Sequence, residues 1–302
     1  MRERAEWRTA LRMLAAMSGI GLASGRELAL FFTQLGDVAW PGILLAAGLF
    51  GVLAGGMVWR GQPSGHSAES LERVCETMRL TLAALVSAFM LFQLGETGAL
   101  TLPLAHSYAF GAAFGLLAAL AIRRLRTSWV LGALILLYAG GFFALNAIDP
   151  RPVQVYTHTY TEFALTGNLP IALALATLYA ALTACAGSWG LSRLDPGTVR
   201  PLGLGVRAGG LLCVLLCLAN LALLRGGDVV IAHPLPWVVL SARWGLAGFW
   251  LCAGLKAFCA VATLSAALDL LLQRLHTHSR ALAVCMLING AVVFGLLTWG
   301  RA

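Results

Sequence analysis

Ser18-Gly19-Ile20-Gly21-Leu22-Ala23-Ser24-Gly25-Arg26-Glu27 is the stretch on which the reading of this chain turns. It lies inside an apolar run of roughly residues 10–34, yet packs three glycines and two serines into Ser18–Gly25 and follows them with an Arg-Glu pair. Each glycine weakens a helix by about 1 kcal/mol relative to alanine. The expectation is a span that unwinds part-way across. Unwound backbone leaves N–H and C=O groups that hydrocarbon cannot satisfy, so it must face a cavity, a ligand or protein. A half-helix starting near Arg26 presents a positive dipole end to an anionic group. The plainer alternative is a glycine-rich packing face with Arg26 and Glu27 paired to each other.

Working outward, the composition makes that run one of many. Hydrophobic residues are 59 % of the 302 and charged residues 11 %, against about 25 % charged in an ordinary soluble domain. Apolar stretches near span length fall at roughly 10–34, 41–59, 78–95, 103–122, 128–148, 169–191, 202–224, 245–273 and 281–299, and a span needs about 20 residues. These runs are too long for barrel strands and do not alternate. The N-terminal run resembles a secretory signal, but its apolar character resumes at Leu28-Ala29-Leu30-Phe31-Phe32, so it is read as an uncleaved first span. The expected class is an all-α polytopic membrane protein with about nine transmembrane helices in a single domain, residues 1–302.

The net charge of +8 does not indicate nucleic acid, because the chain has a single lysine and its arginines sit between apolar runs. With the N-terminus inside, 15 arginines fall on the inner side, and Arg151, Arg225, Arg243 and Arg301 fall outside. That bias predicts a cytoplasmic N-terminus and an outer C-terminus. Trp40, Trp59, Trp129, Trp237 and Trp299 stand at segment ends as interfacial anchors. From Pro234 to Leu275 the chain is apolar for twice a span's length; a short external helix from Pro236 to Arg243 followed by one long span is expected. Gly51-x-x-x-Gly55, Gly111-x-x-x-Gly115 and Gly205-x-x-x-Gly209 are read as helix-packing faces.

Three features carry candidate chemistry. The first is residues 19–25, with Gly19, Gly21, Ala23, Ser24 and Gly25 offering backbone groups and Arg26 or Glu27 setting charge preference. The second is Tyr179 to Gly190, where Thr183, Gly187 and Ser188 suggest a matching break, with small-residue packing as the alternative. The third is Lys256, about eleven residues into the long span, where a bare ammonium is costly. Glu27 is the acid expected to pair with it, and the lysine could serve as an ion surrogate or proton carrier. Glu96, with Gln93 and Thr97, is a lesser candidate for lining a pathway but is placed at a span's outer end, and Asp269 is placed at the inner interface near Arg274. The seven cysteines read as small hydrophobes and His276-Thr-His278 as a solvated loop, so no metal and no cofactor is expected. The sequence carries none of the familiar nucleotide-binding, metalloprotease or nucleophile-elbow motifs, so no catalytic residues are assigned and no enzyme is expected.

The run Gly19-Ile-Gly-Leu-Ala-Ser-Gly-Arg-Glu-Leu-Ala-Leu-Phe-Phe32 resembles the first-span signature of the YkvI-like bacterial membrane proteins, which are similar to the amino acid–polyamine–organocation (APC) superfamily with its LeuT fold. Leu178-Tyr-Ala-Ala-Leu, Leu235-Pro-Trp and Leu255-Lys-Ala-Phe-Cys-Ala are looser matches in the same order. The resemblance implies a five-plus-five inverted repeat, about 8–149 and a shorter 165–300, with broken first and sixth helices around a midplane site. It further implies a secondary transporter of a small organic solute such as an amino acid or amine, in the bacterial cytoplasmic membrane. Lys256 stands where the family has a glutamate, and Cys259-Ala260 where it has paired threonines; that departure favours proton coupling or none over sodium. The chain ends after nine spans, one short of the repeat. The alternative is a transporter-fold sensing or assembly subunit that binds a ligand without moving it.

Overall fold

A computed structural model describes residues 2–60, 69–102, 106–125, 128–149, 168–192, 194, 196–227, 230–231, 233 and 235–275. The expected ninth span, His276, His278, Trp299 and Cys285 lie outside the described residues. The helices are α1 (Arg2–Gly21), α2 (Arg26–Phe31), α3 (Ala39–Arg60), α4 (Glu69–Thr101), α5 (Ser107–Leu125), α6 (Ser128–Ile148), α7 (Leu169–Gly187), α8 (Pro201–Gly226), α9 (Pro236–Ser241) and α10 (Gly245–Leu275), and no strand occurs among the described residues. Prolines open α7, α8 and α9, where a missing N–H removes no helical bond.

Among the described residues, six helical stretches are long and apolar enough to cross a membrane: Thr33–Trp59, Glu76–Thr101, Ser128–Ile148, Leu169–Leu191, Pro201–Gly226 and Pro236–Gln273. They coincide with six of the nine expected stretches. The expected first and fourth spans are helical but fall outside that set for physical reasons. Charges run along α1 as far as Arg12 and the helix stops at Gly21. The last turn of α5 carries Arg123 and Arg124. The long C-terminal run divides as expected: α9 and a 3-10 turn, Ala242–Trp244, precede a change of direction at Gly245 (φ 58°), after which α10 continues unbroken through Lys256.

Interior space is filled by close backbone approach. A Cβ on Gly51 would stand 2.7 Å from the Gly205 carbonyl, and one on Gly205 would stand 2.6 Å from that of Gly51, so α3 and α8 meet glycine to glycine. Gly111 approaches Gly98 of α4 in the same manner. All three small-residue motifs are therefore packing faces.

Ionic latches fix the helix ends. Glu6, buried on α1, is bonded by the Arg207 guanidinium of α8 and by the Arg200 N–H at 3.4 Å; Arg207 also reaches Glu3 at 3.0 Å and covers the Trp7 ring. At the other end Arg243 donates to the carbonyls of Arg225 (2.9 Å), Asn146 and Asp149 (both 3.5 Å), placing a cation at the carboxyl ends of α6 and α8. Asp269 of α10 bonds Arg123 of α5 at 3.1 Å.

The Gly51–Gly205 contact predicts that Gly205→Ala lowers thermal stability in detergent, by about 1–3 kcal/mol for overpacking against rigid backbone. Gly210→Ala, with nothing within 4 Å of its Cβ, should be neutral or stabilising. Equal melting shifts for the two variants would contradict the packing assignment.

Candidate functional site

The helix expected as the first span is broken where the glycines predicted. The last α1 bond runs from the Leu22 N–H to the Ser18 carbonyl at 2.9 Å. Gly25 then adopts a left-handed conformation (φ 78°, ψ −13°), and α2 begins at Arg26. Loosening starts earlier. The Thr263 hydroxyl of α10 accepts the Gly19 N–H at 2.7 Å and donates to the Ala15 carbonyl at 3.4 Å, so it spans a rung of the α1 ladder. One turn away, Ser18 donates to the Ala15 and Cys259 carbonyls at 2.9 and 3.4 Å. Although Cys259-Ala260 lack hydroxyls, Thr263 brings one from the same helix to the first span.

The exposed backbone of the break is met mostly by protein. Trp237 of α9 donates its indole N–H to the Leu22 carbonyl at 3.0 Å, and the Tyr179 hydroxyl of α7 donates to the Gly21 carbonyl at 3.4 Å. The Trp237 side chain is 1 % exposed and packs on Phe142 and Phe143 at centroid distances of 6.0 and 4.7 Å. Expected as an interfacial anchor, Trp237 is instead a plug set against Gly25, whose added Cβ would fall 2.6 Å from the indole. That contact and the positive φ make glycine the fitting residue there. Ser24 closes the local turn: its hydroxyl accepts the Arg26 N–H at 3.0 Å and donates to the Glu27 carboxylate at 2.5 Å. The N-cap of α2 is Gly25 with no side-chain cap, so Ser24 and Glu27 close the turn without forming a capping box. Arg26 points outward and is exposed.

Lys256 corrects the expected pairing. Its side chain is 8 % exposed and its ammonium lies 3.1 Å from Glu96 of α4, while Glu27 is held by Ser24. α4 is one helix of 33 residues, so Glu96 sits five residues before its end, within reach of a lysine midway along α10. The apolar run alone hid this, because it made residue 96 look like a terminus. Ala23, Ser24, Thr97, Trp237, Cys252 and Lys256 surround a cavity of about 30 Å³, which is room for about one water.

The second expected break is not a mid-span gap. α7 stays helical to Gly187 and then tightens into a 3-10 turn, Ser188–Leu191. Thr183 bonds back to the Tyr179 carbonyl at 2.7 Å and touches the space beside Gly21, so Tyr179 and Thr183 do face the first break. Gly187 packs instead against Met13 and Phe50, and Ser188 accepts Arg79 at its carbonyl (2.8 Å) beside a wide groove of about 1170 Å³ between α3, α4 and α7. Gly187 and Ser188 therefore lie about two turns of α1 away from the gap at 22–25. Tyr179, Glu96, Trp237 and Thr263 complete the candidate site; the sequence reading named Glu96 as a lesser pathway candidate and Tyr179 only as the start of the second segment, and gave Trp237 and Thr263 no role there.

No family model matches the chain, and no curated protein or solved structure matches it either.

Two outcomes follow from this geometry. Replacing Lys256 or Glu96 singly by glutamine leaves a largely buried partner charge and should destabilise by roughly 2–4 kcal/mol. The Lys256→Gln/Glu96→Gln double variant should recover most of that loss, measured by thermal unfolding, whereas adding Glu27→Gln to Lys256→Gln should not. In the loop before α9, His233 accepts the Leu235 N–H on Nδ1 at 2.9 Å, and burial and the nearby Arg26 charge lower its pKa below the ordinary histidine value. Protonation thus disfavours the folded loop: this contribution to stability is present above the unfolded pKa near 6.5 and fades as pH falls through the lowered folded value. His233→Asn should flatten the fall in melting temperature between neutral pH and about pH 5.

Proposed function

We propose that the protein is a secondary transporter of a small organic solute such as an amino acid or amine. The observation carrying this reading is the coincidence of a broken first span with three ionisable groups, Glu27, Glu96 and Lys256, gathered beside the gap. Intramembrane charges are costly and characteristically mark solute or ion pathways, and unwound backbone at membrane depth suits a solute's polar groups. Under this reading the backbone of 19–25 binds solute and Glu27 sets charge preference, while Arg26 stays exposed outside the gap. Tyr179 and Thr183 form the facing wall. Lys256 exchanges the Glu96 carboxylate for an acidic group of the solute, or passes its proton to Glu96 to leave a neutral amine and carboxylic acid, and Trp237 withdraws to admit the solute. The APC-type resemblance of Gly19–Phe32 supports the same organisation, with the N-terminus on the cytoplasmic side of a bacterial membrane.

One observation favours a second reading, a ligand-sensing or assembly subunit that does not transport. The carbonyls of Gly21 and Leu22 are already taken by Tyr179 and Trp237, and the adjoining cavity is only about 30 Å³. Counterflow in proteoliposomes with a panel of amino acids and amines separates the two. The transporter reading expects counterflow of at least one solute, abolished by Glu27→Gln. Ligand-induced thermal stabilisation without counterflow would replace it with the sensing reading.

A further inference from the structure

Lys256 and Glu27 have separate hydrogen-bond partners, yet both border the same small space. The cavity of about 30 Å³ beside the break has Ser24, Thr97, Cys252 and Lys256 as its polar lining. Cys252 and Lys256 stand one turn apart on α10 and line it from one side of that helix. Lys256 donates to Glu96 at 3.1 Å, and an ammonium has further N–H groups to give. From the first span, the Ser24 hydroxyl donates to the Glu27 carboxylate at 2.5 Å and accepts the Arg26 N–H at 3.0 Å. Glu27 is thus one hydrogen bond behind a residue of the cavity wall. The titratable groups within electrostatic reach of Glu27 are Arg26 on its own helix, Lys256 of α10 and Tyr179 of α7. Arg26 is exposed outside the gap, and the Tyr179 hydroxyl donates to the Gly21 carbonyl. Lys256 is therefore the proton donor on the cavity side of Glu27.

A buried water needs a polar site with two or more partners and a share of about 30 Å³. This cavity supplies an N–H donor from Lys256 and hydroxyl oxygens from Ser24 and Thr97; Thr97 spends its own proton on the Gln93 carbonyl at 2.8 Å and keeps lone pairs. We propose that Lys256, one cavity water and Ser24 form a proton relay that ends at Glu27. An ammonium proton passes from Lys256 to the water, the water gives one of its own to the Ser24 oxygen, and the Ser24 hydroxyl proton moves to the Glu27 carboxylate. Lys256 ends as a neutral amine and Glu27 as a carboxylic acid; water and serine are each restored, and net charge is unchanged. One event then neutralises the restarted half of the first span and dissolves the ion pair between α10 and α4. The use of this event for coupling rests on the transporter reading. There Glu96 takes the lysine's proton directly, and the relay adds a second acceptor across the break.

Infrared spectroscopy of the full chain in lipid membranes, after a downward pH jump, tests the relay. The carboxylic-acid C=O band of Glu27, identified by its loss in Glu27→Gln, is expected to rise. In Ser24→Ala it should rise about a hundredfold more slowly, the lower end of what a positioned proton-transfer group contributes. Ser24→Thr keeps the hydroxyl and should restore the rate. If Ser24→Ala does not fold, the Lys256→Gln/Glu96→Gln variant, which removes the donor, should show the same slowing. Absence of a Glu27 band, or a rate that loss of hydroxyl or donor leaves unchanged, would overturn the proposal. These readouts need no solute: the expected infrared result in a protein without counterflow would remove the transport reading and uphold the relay.

Discussion

Backbone hydrogen bonding inside an apolar slab is the constraint from which the rest of this structure follows. A continuous helix satisfies itself; a helix that stops at Gly21 and restarts at Arg26 leaves carbonyls that lipid cannot serve. The protein answers with side chains drawn from distant segments. Trp237 reaches the Leu22 carbonyl across 215 residues of sequence, Tyr179 reaches Gly21, and Thr263 takes up the Gly19 N–H. Each of these partners is itself held: Trp237 by Phe142 and Phe143, Tyr179 by Phe31 and Phe32, and Thr263 by its place on a helix of 31 residues. The gap is thus the point on which α1, α6, α7, α9 and α10 converge.

Charge is arranged around the same point. Lys256 and Glu96 pair across α10 and α4, and Glu27 is tied to Ser24 on the restarted half of the first span. A buried ion pair is weak evidence for stability, because desolvation offsets much of the attraction and apolar replacements often stabilise more. The small size of the adjoining cavity and the seating of Trp237 describe a closely packed arrangement, in which the Gly21 and Leu22 carbonyls, Glu27, Glu96 and Lys256 each have a protein partner.

Much of this was legible in the residues. Gly19, Gly21 and Gly25 with Ser18 and Ser24 announced the break, and Gly25 proved to be its left-handed pivot. The paired Gly-x-x-x-Gly motifs announced the α3–α8 contact, and the long run after Pro234 divided at Gly245 as its length required. What could not be read were partnerships set by depth and rotation. Lys256 was assigned to Glu27 because an apolar window stops short of Glu96, whereas the helix itself runs on to Thr101. Trp237 looked like an interfacial anchor because tryptophan at a segment end usually is one; only the fold of α9 turns it inward. Thr183 and Ser188 looked equivalent in sequence, yet five residues along a helix amount to more than a full turn. They face different levels of α1.

The account's central claim is that the first span has a real gap at 22–25, closed by Trp237. In a cysteine-free background, the rate at which Ala23→Cys reacts with a small water-soluble cationic thiol reagent measures this most directly. The account predicts slow reaction with Trp237 in place and reaction about tenfold faster once Trp237→Ala removes the indole's hydrogen bond and bulk. Equally slow reaction with and without Trp237, as for any residue inside an unbroken packed helix, would contradict it.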